Sequence, residues 1–80
     1  MPIGISVLVS EQAVEARVRR AVARESGERL VKSRSAAVRQ EFGDYYIADA
    51  HFGNPQRWHL DLESLATEFH VLRAWETLES

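Results

Sequence analysis

Two aspartates and two histidines alternate within a short stretch, Asp49 and His51 followed by His59 and Asp61. Imidazole and carboxylate are ligands for Zn²⁺ and Ni²⁺, and imidazole also titrates close to neutral pH. For the four to converge, Tyr45 to Phe52 and Arg57 to Asp61 must form a β-hairpin around Gly53-Asn54-Pro55-Gln56, which is turn chemistry. A register centred on Pro55 sets His51 opposite His59 and Asp49 opposite Asp61. The same alternation also simply supplies the polar face of a half-buried hairpin. Opposed carboxylates repel, and Asp61 precedes a helical pattern as an N-cap. The polar-face reading is preferred, so no metal and no other cofactor is expected.

Other catalytic signatures are missing from the sequence. It has no cysteine, no phosphate-binding glycine loop, no G-x-S-x-G elbow and no H-E-x-x-H helix. Eighty residues are few for a water-excluding pocket of several hundred Å³. His70 lies near an apolar helical stripe and reads as a packed or helix-terminal residue. A non-enzymatic protein is expected.

Charge is the stronger signal. Residues 1–40 hold eight Lys/Arg against four acids, and residues 41–80 hold Arg57 and Arg73 against eight acids. The first half is therefore +4 and the second −6, hidden in a net charge of −2. Arg17, Arg20 and Arg24 form a stripe that lies roughly 130° around a helix from Val14, Val18 and Val22. Arginine suits phosphate and carboxylate alike. Glu68 and Glu76 belong to the acidic face of the C-terminal segment. Tyr45, expected exposed, joins Ile47 and Arg57 as a plausible contact surface.

These side chains need elements to carry them. Ile3, Ile5, Val7 and Val9 alternate, which predicts a strand. Ser10 can cap a helix over residues 11–25, with Gly27 as its stop. Residues 28–42 read as a second helix ending at Gly43, although Ser33 and Ser35 weaken it and residues 29–33 could be extended. A helix-turn-helix about Gly27 is a poor match, because Ser33 stands where an apolar residue belongs. In the hairpin, Tyr46, Ala48, Ala50 and Phe52 share a face with Trp58 and Leu60. Leu62, Leu65, Ala66, Phe69 and Leu72 form a last helical stripe, which Trp75 and Leu78 could extend and which Val71 permits to break near His70.

The predicted order is β-α-α-β-β-α: a single α+β domain spanning 1–80, with a three-stranded antiparallel sheet and helices packed on one face. The N-terminal strand joins the hairpin in this arrangement. Trp58, Trp75 and the phenylalanines supply much of the core, and the open sheet edge could pair with a second copy. No apolar run nears the ~20 residues of a membrane span. No leader is seen, so a cytoplasmic setting is expected. In its size and divided charge the chain resembles the small phage-encoded inhibitors of the anti-CRISPR type. That resemblance implies a protein partner, a CRISPR effector subunit, whose DNA binding or cleavage is blocked. The alternative is a small nucleic-acid-binding regulator using Arg17, Arg20 and Arg24, with Arg34 and Arg39 as further candidates.

Overall fold

The computed structural model describes residues 7–79. In chain order these form β1 (Val7–Val9), α1 (Glu11–Ser26), β2 (Arg29–Lys32), α2 (Ala36–Phe42), β3 (Tyr45–Ala48), β4 (Pro55–Leu60), α3 (Leu62–Glu68) and β5 (Glu76–Leu78). The fold is mixed α+β with a three-stranded antiparallel sheet, as expected, but its third strand is a different segment.

The first helix follows its local signals. The Ser10 side chain accepts a hydrogen bond from the Ala13 N–H at 3.2 Å. Gly27 ends α1 in the left-handed region at φ 70°, and its N–H donates to the Ala23 carbonyl. Val14, Val18 and Val22 are wholly buried, with Ala21 beside them. Valine is a middling helix former, so this packing, more than propensity, holds α1.

Residues 28–42 are not one helix. Arg29–Lys32 are extended, and the chain re-enters a helix only at Ala36, capped by Ser35 accepting from the Val38 N–H. Ser33 and Ser35 cause the split, since hydroxyls favour caps and turns over helix interiors. The Ser33 hydroxyl is buried and donates to the Gly43 carbonyl. A strand after Gly27 also removes the helix-turn-helix.

The three-stranded sheet has the order β2-β3-β4. β2 therefore takes the place expected of the N-terminal strand, pairing Leu30 with Ile47 and Lys32 with Tyr45. β1 instead pairs in parallel with β5, Val7 with Glu76 and Val9 with Leu78. The C-terminal helix does not run on through Trp75. α3 stops at Glu68, His70 adopts φ 54°, and residues 76–78 are a strand. The sequence leaves open one helix or two, with Val71 permitting a break near His70; a strand beyond it is not among those alternatives.

Leu30, Tyr45 and Ile47 are buried with the valines of α1 and with Leu62, Leu65 and Ala66 of α3. Alternation along β3 turns Tyr46 to the opposite face. There its ring lies 5.2 Å from that of Phe42 in α2. α2 buries no residue of its own and meets the sheet through this Phe42–Tyr46 contact.

The hairpin is shorter than predicted. β3 ends at Ala48, which pairs with Pro55, and residues 49–54 form the connection. The Asp49 carboxylate accepts from the His51 N–H at 2.7 Å, turning the chain early. Ile47 pairs with Arg57 and Tyr45 with Leu60, so Trp58 and His59 together oppose Tyr46. This is a β-bulge. His59 takes φ 56°, and Gly43 lies against its backbone.

Candidate docking surface

The revised hairpin breaks the expected His/Asp arrangement. His51 sits in the connection and His59 in the bulge, so the two are not cross-strand partners. Asp61 caps α3, accepting from the Ser64 N–H at 2.7 Å and the Ser64 hydroxyl at 3.0 Å. No grouping of three or more metal-ligating side chains occurs among the described residues.

Most of the charged and aromatic residues expected to meet a partner are engaged within the chain. Arg17 is held by β5 and the segment before it. Its Nη1 donates to Glu76 Oε1 at 2.8 Å and to the Val71 carbonyl at 3.0 Å, and its Nη2 donates to Glu76 Oε2 at 3.2 Å. Glu76 Oε1 also accepts from the Arg73 N–H at 2.9 Å. The Arg17 hydrogen bond, then that backbone N–H, hold the Glu76 carboxyl below its ordinary value. This clasp joins the basic half of the chain to the acidic half.

Arg57 and Glu68 form a second fork-to-fork pair, at 2.7 and 2.8 Å, fastening β4 to α3. The Arg57 hydrogen bond lowers the Glu68 carboxyl, and Glu68 raises Arg57. Both side chains are over two-fifths exposed, at 43% and 46%. Solvent screening therefore limits the pair to about 0.2–1 kcal/mol.

Tyr45 and Ile47 lie inside the fold and not on a contact surface. Ile47 is 1% exposed and belongs to the core. Tyr45 is buried as well, and its hydroxyl donates to Glu15 Oε1 at 3.0 Å. Burial first, then Glu15, push its pKa up to about 12. Of the predicted contact residues, Arg20 and Arg24 stay exposed on α1. Arg24 lies 3.8 Å from Glu25, and Arg20 enters no ion pair among the described residues.

The surface that does face outward is aromatic. Phe52 is 81% exposed in the hairpin connection, and Trp58 is 52% exposed at the bulge. Both were expected in the core. Trp58 opposes Tyr46 across the bulge, on the side away from the α1 and α3 core. Trp75 is also exposed, with the Arg73 guanidinium 5.6 Å from its ring centre. The turn signal at Asp49 marks where the strand alternation ends. Trp58 follows Arg57, the partner of Ile47, so alternation alone places it on the side away from the core.

The chain also holds an open cleft of about 850 Å³. Glu11, Asp61 and Glu63 line it with Lys32, and Tyr45 and Leu62 form part of its wall. No helix among the described residues is long and apolar enough to cross a membrane. No protein-family model matches the chain, and no curated protein or solved structure is similar to it at a significant level.

Proposed function

We propose that the protein is a non-enzymatic protein-binding module, a small inhibitor that occupies a surface of a larger nucleic-acid-handling complex in the manner of anti-CRISPR proteins. The exposure of Trp58 and Phe52 carries this reading. Tryptophan brings large contact area with few rotatable bonds and dominates many binding hot spots. Large apolar side chains left in water on a small domain mark an interaction site; Trp58 lies within β4 and Phe52 in the connection that leads into it. Arg20 and Arg24 supply a separate cationic stripe for acidic parts of the same partner. The acid-lined cleft offers the reverse complement to a basic nucleic-acid groove.

A photocrosslinking residue placed at position 58 in the native host tests this. It should capture one protein, and purified Trp58→Ala/Phe52→Ala should bind that protein at least about 30-fold more weakly. Unchanged affinity in the double variant sinks the reading.

A nucleic-acid-binding regulator is the second reading. Arg20, Arg29 and Arg34 favour it: all are exposed and enter no ion pair among the described residues. It requires steeply salt-dependent shifts of plain DNA or RNA, abolished by Arg20→Glu/Arg24→Glu.

A further inference from the structure

We propose that β1 is the seam of a homodimer, its free edge pairing antiparallel with β1 of a second copy about Leu8. Among the described residues β1 is paired on one side only. The Val7 N–H donates to the Trp75 carbonyl and the Val9 carbonyl accepts from the Glu79 N–H, each at 2.8 Å. Alternate residues serve a parallel ladder. Val7 and Val9 therefore aim their backbone groups at β5, and Leu8 aims its N–H and C=O outward.

The other sheet edges carry protection. β2 holds Arg29 and Lys32, and β5 holds Glu76 with Glu79 just beyond. β4 begins at Pro55, is broken by two register shifts, and contains the left-handed His59. Charge, proline and bulges are the devices by which natural edges avoid pairing. β1 reads Val-Leu-Val and has none of them.

The occupant is a second copy because this edge complements itself. A two-fold axis at Leu8 sets Leu8 against its own equivalent, which exchanges both outward backbone hydrogen bonds, and Val7 against Val9. No charge lies in either strand. Leu8 is 64% exposed and Val7 48% in the single chain, so both have area to bury.

The resulting order, β5-β1-β1-β5, places the two β5 strands three spacings apart, roughly 14 Å. That exceeds the ~8 Å screening length at physiological salt, and Glu76 is already matched by Arg17. Two marginal two-stranded pairs become one four-stranded sheet. Three residues per strand give less than the ~1,200 Å² of a stable complex, so the dimer depends on concentration.

Sedimentation from about 10 µM to about 1 mM, the span suited to a contact of that size, reads the outcome. The mass should rise from 9.1 kDa towards twice that value, and exchange of the Leu8 N–H should slow at least about tenfold across the same span. Leu8→Lys alters an exposed residue whose backbone does not serve β5. It should keep the native circular dichroism and stay monomeric throughout. Trp58→Ala should dimerise like the unaltered chain, which separates this seam from the aromatic surface. A chain still monomeric at the highest concentration overturns the proposal. A dimer that survives Leu8→Lys, or is lost in Trp58→Ala, also overturns it.

Discussion

Replacing Gly43 by alanine is the sharpest test of how the hairpin is built. Gly43 sits at φ 80°, ψ −169°, a region open essentially to glycine alone. Forcing a side chain there costs about 1–3 kcal/mol. The new Cβ would also lie 2.8 Å from His59 Cα and 3.0 Å from His59 Nδ1. Backbone cannot swing aside as a side-chain tip does, and overpacking of this kind adds about 1–3 kcal/mol. Gly43→Ala should therefore lose about 2–6 kcal/mol. An 80-residue domain holds only about 4–12 kcal/mol in all. Gly27→Ala is the control. Gly27 is left-handed too, at φ 70°, but nothing lies within 4 Å of its Cβ position, so the loss there should be about 1 kcal/mol. Urea unfolding followed by circular dichroism measures both. In a double-mutant cycle, His59→Gly should recover part of the Gly43→Ala loss, because it removes the ring contact. Equal losses at the two glycines, or no coupling to His59, would refute the bulge geometry.

Other perturbations probe the core and the clasps. Leu65 is 1% exposed among the α1 valines, and Leu65→Ala should cost about 2–5 kcal/mol in the same assay. The Glu76 and Glu68 carboxyls are held below their ordinary value near 4.5. Their pairs therefore add stability above that pH and lose it as the pH falls through the lower folded values; the gap in urea midpoint between Glu76→Gln and the unaltered chain should close on acidification. Tyr45 runs the other way. With its folded pKa raised from 10.0 to about 12, its contribution is complete below 10 and is lost as the pH rises through 12, so Tyr45→Phe should flatten the alkaline limb of a stability–pH profile.

What could be read from the sequence was local. Ser10, the valines spaced four apart and Gly27 define α1 within one segment. Asp61 with Leu62, Leu65 and Ala66 does the same for α3. The remaining features depend on partners distant in the chain. Glu76-Thr77-Leu78 carries no mark of a strand until Val7–Val9 lies beside it. Arg17 and Glu76 are 59 residues apart, so charge counted by halves showed an imbalance and not the clasp that consumes part of it. Tyr45 and Ile47 were placed on a contact surface, yet pairing with β2 on one side and β4 on the other makes their strand the central one, whose α1-facing residues are buried. Trp58 lies on the Tyr46 side, where alternation placed it, but the core forms against the Tyr45 and Ile47 side, and period-two reasoning finds two faces without saying which one a distant helix will cover.

The β1–β5 ladder joins segments near opposite limits of the described chain, and that has a kinetic consequence. Contacts between distant segments form late, after the entropy of bringing them together has been met. The hairpin and its neighbouring strand close over short loops and can assemble first, with α1 laid across them. The parallel ladder then acts as the final fastening. Being only three residues long, it is also the first region to open under native conditions, and its amides should exchange well before those of α1.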